Sequence, residues 1–446
     1  MKENYSLFLT KEINKQLQHD LTGIFYEIFP FDKLSAIKTG IERDRIYNVE
    51  NTILTMILTM TEEDKSLQNS VNIYSHFHER NRKRIESIDN RIKEEYQDTR
   101  IKRKAGRPRK TIGRIAKSKT VGISRDTSGY SQARIRLPVH AVDIVFQSSR
   151  DFSSIKYPGT WHGLKVFMAD GTYLQMQDTD AIKEKFSCPS LKSYPRGLLE
   201  VLIEQGSGAV YDFVLESDSK SELELISPMI RNIPQGSLLL ADDLYNCYTI
   251  FALLRRQGIE IIVPGKRVRN YQIIEQIGSG DEIVEIKKNG NSKWLNGSTI
   301  DEKKLTMRRV EYNNPNKEGE KLVLYTSLLD AEISKEEIIL KYDSRWDIEI
   351  SIREMKTIMD INIVRAKSPD TAYKEVITAL IAYNYIRRII AKTTENSDFS
   401  PETDIIQKFY ENHKQVLVDK LGRKYSKWSP GRRGYANERN TKTQNP

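Results

Sequence analysis

Apolar residues recur at helical spacing over Asn48–Met60, and a polar, charged helical pattern runs on over Ser70–Tyr96. Pro30 is the one proline within residues 1–95, so this stretch reads as a small helical unit. The texture changes at Leu164. Leu164–Ala169 is a short apolar run ending at Asp170-Gly171, which predicts a strand that stops at a turn. Leu198–Glu204 and Ala209–Leu215 flank Gln205-Gly206-Ser207-Gly208 and predict a hairpin. Ser219–Arg231 is amphipathic and helical. Ser237–Ala241 is a buried type of strand ending at Asp242. Tyr245–Gln257 reads as a helix that Gly258 stops, and Ile259–Val263 as a fifth strand closed by Pro264-Gly265. Residues 266–325 break the rhythm. Strand-like stretches Glu282–Ile286, Lys304–Val310 and Leu322–Tyr325 alternate there with Gly- and Asn-rich turns, a β-rich insertion. Ser334–Met359 predicts one long helix and Ala372–Ala391 another. Three antiparallel strands, then two strands alternating with helices, predict an α/β fold: a ribonuclease-H-like mixed sheet with a β-rich insertion.

Length and composition narrow the class. The 446 residues are enough for two to four structural units. At 38% hydrophobic and 30% charged, the chain can bury a sizeable core. No apolar run approaches the roughly 18 residues of a membrane span. Residues 1–16 mix Lys, Glu and Asn among the apolar positions, so they lack a signal-peptide core. The two cysteines, Cys188 and Cys247, exclude a disulfide framework and a cysteine zinc module, and the six His form no cluster. The chain reads as intracellular, with no membrane partner, and any metal is expected on carboxylates.

The net charge of +10 points to a polyanion, and its distribution sharpens that. Residues 100–125 hold eleven Lys/Arg and no acid. Residues 420–446 hold eight Lys/Arg against the single acid Glu438, with Tyr425, Trp428 and Tyr435 interleaved. These stretches, +11 and +7, together exceed the whole chain's +10, so the remainder is net −8. An acidic body with basic flanks suits a carboxylate metal site with nucleic acid held around it.

Three acids stand out by position. Asp170 ends the first strand, Asp242 ends the fourth, and Glu349 lies in the long helix. First and fourth strands can lie side by side in this order, and a helix near their ends can add the third carboxylate. Converging carboxylates suit two hard divalent cations, Mg²⁺ above all and Mn²⁺ as a substitute. Asp242 is the expected ligand because it ends the strand directly; Asp243 is the alternative. On the long helix Tyr342, Arg345, Glu349 and Lys356 fall within an arc of about 60° at 100° per residue. A phenol, a guanidinium, a carboxylate and an ammonium on one face are not a core stripe, and they suit a phosphate backbone beside a metal site.

These residues carry a resemblance. Tyr342-x-x-Arg345-x-x-x-Glu349 followed by Lys356 resembles the Tyr-Arg-Glu-Lys signature of bacterial insertion-sequence DDE transposases. Asp170-Gly171-Thr172 resembles that family's first-aspartate motif, and Leu239-Leu240-Ala241-Asp242 with Tyr245 its second. Ser128–Arg134 is similar to a stretch that precedes the family's catalytic core. Asp243 departs from the Arg usual after the second aspartate. The resemblance covers about residues 128–390. It implies that Asp170, Asp242 and Glu349 bind catalytic metal, while Tyr342, Arg345 and Lys356 hold transposon-end DNA. It further implies Trp346 and Trp294 as aromatic platforms for a flipped base. The implied activity is binding of terminal inverted repeats, metal-assisted cleavage of the ends and transesterification into target DNA. The implied assembly is a homodimer on double-stranded DNA in a bacterial cytoplasm, associated with the nucleoid. A non-catalytic or repurposed DNA-binding protein of transposase origin is the alternative.

Gly106-Arg107-Pro108-Arg109-Lys110 resembles an AT-hook with Ala105 in place of its leading Arg, so Arg107, Arg109 and Lys110 are DNA contacts by phosphate or minor-groove reading. The expected organisation is a helical N-terminal DNA-binding domain at 1–99 and a basic linker at 100–127. The catalytic core follows at 128–265 and 326–400, split by the insertion at 266–325. A basic tail at 401–446 closes the chain.

Overall fold

The computed structural model describes residues 16–35, 46–79, 126–155, 160–188, 190, 193–265, 270–288, 300–314 and 317–395. Helices come first: α1 (16–28), α2 (Phe31–Ser35), α3 (Val49–Met60), α4 (67–79), α5 (Ser128–Arg136) and α6 (Val139–Ser149). Asn48 caps α3 by accepting from the Asn51 N–H. The buried side chains of α1, α3 and α4 join those of the last helix in one hydrophobic cluster.

The sheet starts with β1 (Thr160–Trp161) and β2 (Leu164–Gln175), followed by α7 (Asp180–Lys185). Then come β3 (Arg196–Glu204), β4 (Val210–Ser217), α8 (Glu222–Ile230), β5 (Ser237–Leu240), α9 (Tyr248–Arg256) and β6 (Ile259–Pro264). The insertion supplies β7 (Tyr271–Gly278), β8 (Asp281–Lys287), β9 (Lys304–Asn313) and β10 (Lys321–Thr326). Three helices close the described chain: α10 (Lys335–Asp343), α11 (Trp346–Ile358) and α12 (Pro369–Glu395). Strand order is β4-β3-β2-β5-β6-β10-β9-β8-β7, with β1 paired to β2 off this path. β2, β3 and β4 are antiparallel, whereas β2, β5 and β6 are parallel. The insertion is continuous with this sheet, because β10 pairs antiparallel with β6.

Alternation along the strands assigns every residue a face. Val166, Met168 and Leu174 of β2 pack into the cluster shared with α11 and α12, and so do Leu199, Val201 and Ile203 of β3. Phe167 and Ala169, with Leu202 of β3, pack on the opposite side against α8 and α9. The sheet is thus covered on both faces, which is why its central strands read as nearly unbroken apolar runs.

Two sequence expectations change. Asp170-Gly171 is no turn, since β2 runs unbroken through both residues to Gln175. The strand persists because β3 pairs with it along nine positions, from Phe167↔Glu204 to Gln175↔Arg196. The predicted helix over 334–359 is two helices, broken at Ser344-Arg345. There the Ser344 hydroxyl donates to the Lys341 carbonyl, and i→i−3 bonds replace the α-helical ladder. The strand β7 in the insertion was not anticipated. Gly258 follows α9 at φ +65°, the left-handed position expected of a C-terminal glycine. No helix among the described residues is long and apolar enough to cross a membrane.

Candidate active site

The site lies where β2 and β5 part. Their parallel pairing ends at Met168↔Leu240, while β2 continues on its other side with β3. Two residues further on along each strand path come Asp170 and Asp242, close enough for the charge of Asp242 to act on Asp170. The gap lies at the carboxyl ends of parallel strands where the connections diverge, a usual place for a ligand. By parity Asp170 shares the face of Val166 and Met168, the side on which α11 packs against β2.

Each aspartate is held by backbone. Asp170 accepts from the Gly171 N–H at 2.9 Å. Asp242 caps the short turn Asp243–Tyr245, accepting from the Leu244 N–H at 2.7 Å. Burial pushes Asp170 up to about 6; the Gly171 N–H and Arg345 oppose the rise, and the charges of Asp242 and Glu349 add to it. The same Asp242 charge bears on Tyr342, which burial pushes up to about 12. The charge of Asp242 thus reaches both Asp170 and Tyr342.

The break at Ser344-Arg345 aims α11. Arg345 contacts Glu349 Oε1 through Nη2 at 3.4 Å, and its guanidinium carbon lies 5.9 Å from the Tyr342 ring centre and 5.7 Å from that of Trp346. Burial opposes the charge of Arg345, but Tyr342, Glu349 and Asp170 outweigh it and hold the guanidinium protonated. Burial lowers the Lys356 ammonium, against the pull of Asp170. The structure therefore brings Tyr342, Arg345, Glu349 and Lys356 to the same gap as Asp170 and Asp242, although the helix that was to carry them is broken. Trp346 projects outward, 59% exposed. No three His, Cys, Asp or Glu side chains among the described residues are gathered closely enough to hold one ion between them. Trp294, Arg107, Arg109 and Lys110 lie outside the described residues, as do both basic stretches.

Two acids at this gap were not anticipated. Glu200 of β3 sits in register with Gly171 and is fully buried. Its Oε1 accepts a short hydrogen bond from the Tyr245 hydroxyl, and its Oε2 has no hydrogen-bond partner among the described residues. Burial drives Glu200 well above the usual carboxylate range, and Glu222, Asp170 and Asp242 push the same way. Glu222 opens α8. Burial pushes it up to about 7, helped by Asp170 and Asp242. Glu200 had a legible signal, a lone carboxylate inside the apolar run Leu198–Ile203. Glu222 had none, because an acid just after the N-cap Ser221 is ordinary helix chemistry.

Known proteins resemble this chain over the same region. Residues 161–385 match the family described as "Transposase DDE domain". The chain is 27% identical over 285 residues to the transposase InsG for insertion sequence element IS4 of Escherichia coli K12, across 60% of this chain and 62% of that one. It is 28% identical over 138 residues to the putative transposase InsZ of the same organism, across 29% of this chain and 46% of that one. The chain thus spans less than two thirds of either relative's length. Among solved structures, a piggyBac transposase synaptic complex with hairpin DNA aligns with a TM-score of 0.33 and 8% identity, over 59% of this chain and 55% of that one. The matched segment runs from β1 into α12 and contains Asp170, Asp242 and Glu349; by this match the chain belongs to the DDE transposase family.

Proposed function

We propose that this chain is an insertion-sequence transposase of the Tyr-Arg-Glu-Lys class, built on a ribonuclease-H-like core. It binds the element's terminal inverted repeats, cleaves the DNA ends and joins them to target DNA by transesterification. The observation that carries the reading is that Asp170 and Asp242 lie two residues beyond the last β2–β5 pair, with the charges of Asp242, Glu349 and Arg345 all reaching Asp170. The strand order β4-β3-β2-β5-β6, with its antiparallel-to-parallel switch at β2, supports the core assignment.

The donor chemistry of these residues fits divalent metal, although no three of the described acids are drawn together around one ion. The donors are oxygen only, which suits Mg²⁺ or Mn²⁺. Asp170 and Asp242 each place one oxygen on a backbone N–H, and the described residues make no hydrogen bond to the other. The neighbouring Glu200 leaves a buried oxygen unpartnered. Asp170, Asp242 and Glu349 would hold the metal, two ions in our reading. Bound there, divalent metal supplies an activated water or 3′-hydroxyl and stabilises the leaving oxygen of a phosphodiester.

The protein's own groups do the rest. Asp170 and Asp242 are pre-oriented by their backbone hydrogen bonds. Arg345 is kept charged beside the gap, where it can pair with a phosphate oxygen. Lys356 adds a second cation on the same helix face. The neutral Tyr342 phenol can donate to a phosphate oxygen, and the exposed Trp346 ring offers a stacking platform for an unpaired base. The N-terminal helical unit and the basic segments, including Arg107, Arg109 and Lys110, supply end recognition. Two ends imply two catalytic sites, hence a homodimer assembled on DNA.

The test is cleavage of labelled element ends in Mg²⁺. Asp170→Ala, Asp242→Ala and Glu349→Ala are each expected to abolish strand cleavage while end binding in a gel-shift assay survives. Wild-type cleavage by any of the three refutes the assignment.

A further inference from the structure

The β2 strand separates two sets of acids. Asp170, by parity, looks toward α11, where Arg345 and Lys356 balance the carboxylates. The next residue, Gly171, looks toward α8, where Glu222 and Glu200 lie.

Gly171 is what lets Glu222 in. A Cβ built at position 171 would stand 2.7 Å from both the carboxyl carbon and Oε1 of Glu222. The Gly171 backbone carries no positive φ, so its missing side chain serves close approach and no unusual turn. The Glu222 carboxylate therefore rests against the peptide whose N–H holds Asp170. The charges of Asp170 and Asp242 reach Glu222. A carboxylate half-buried beside like charges is costly to keep ionised in a fold. Behind it Glu200, fully buried, leaves Oε2 unpartnered on the same side of the sheet. An orphan buried oxygen calls for an ion or an ordered water.

We propose that Glu222 is a fourth carboxylate of the metal site, reaching the cation's coordination shell from the α8 face of β2, directly or through water held by Glu200. This rests on Asp170 and Asp242 being metal ligands. It adds an arm that reaches the gap from the face of the sheet opposite α11.

Calorimetric titration of the metal-free full-length chain with Mn²⁺ alone tests the idea without catalysis. Asp242→Asn and Asp170→Asn are expected to lose binding. Glu222→Gln is expected to weaken it roughly 10–100-fold, as loss of a supporting metal contact does. Gly171→Ala is a second arm that removes no acid. Its methyl must displace the flexible Glu222 side chain, so affinity should fall in the same direction, and adding it to Glu222→Gln should cost little more. If Glu222→Gln fails to fold, Gly171→Ala decides alone. Wild-type affinity in Glu222→Gln and Gly171→Ala, with binding lost in Asp242→Asn, overturns the proposal and leaves the Asp170–Asp242 reading standing. Wild-type affinity in Asp170→Asn and Asp242→Asn overturns both.

Discussion

Arg308 in β9 and Asp281 in β8 are buried at 1% and 5% exposure, and they complete each other. Arg308 donates to both Asp281 oxygens at 2.8 and 2.6 Å, and to the carbonyls of Asp330 and Ile333 at 2.8 and 2.9 Å. At the β2–β5 gap the arrangement is the reverse. Asp170, Asp242, Glu349, Glu200 and Glu222 act on one another, with Arg345 and Lys356 on one side only. The first cluster is closed and ties the insertion to the segment before α10. The second is open: its acids push one another's carboxyls up, and the cations Arg345 and Lys356 act on Asp170. Buried charge alone therefore does not mark a site; what marks it is charge left without a partner.

Breaking the closed pair should have the largest effect on stability. Asp281→Ala strands a buried guanidinium and is expected to cost about 3–5 kcal/mol in urea unfolding. Added Mg²⁺ should restore none of it. A loss under 1 kcal/mol would show that the pair is not closed as described.

The open cluster should respond with the opposite sign. Asp170 titrates near 6 in the fold, against an ordinary 3.8. A raised acid pKa means that its stability contribution is complete below about pH 4 and lost as the pH rises through about 6. The metal-free protein should therefore melt at lower temperature at pH 7.5 than this group alone would allow at pH 4. Asp170→Asn should recover up to about 3 kcal/mol at pH 7.5 while abolishing cleavage. Thermal melts of both proteins at the two pH values check this, and an Asn variant less stable than wild type at pH 7.5 contradicts it. Metal competes with the same protons, so Mn²⁺ affinity should fall as the pH drops through about 6–7, the range of Asp170 and Glu222. A flat calorimetric profile between pH 5.5 and 8 would exclude these acids as ligands.

The smallest effect is expected outside both clusters. Trp346 is mostly exposed, so Trp346→Ala should change stability by less than about 0.5 kcal/mol. If the ring stacks on DNA, end binding should weaken by about 1–3 kcal/mol in the same variant. Unchanged binding would remove Trp346 from the interface.

Periodicity alone made the core strands legible, because their apolar runs and bounding turns are local properties of the chain. It also singled out Asp170, Asp242 and the residues Tyr342, Arg345, Glu349 and Lys356 at helical spacing, although Asp170 lies inside β2 and the helix breaks at Ser344-Arg345. Several features escaped it. β2 runs through Asp170-Gly171 because β3 pairs with it along that whole stretch, a long-range bond no local window contains. The break at Ser344-Arg345 turns on a hydroxyl competing for a backbone carbonyl. Glu222 reads as an ordinary helix-capping acid, and only the packing of α8 against Gly171 brings it to the gap. The sequence by itself determined which residue types stand at which positions and which local stretches can form strands and helices. The tertiary structure decided which of them meet, because burial and charge coupling depend on distance through space, and distance along the chain says little about either.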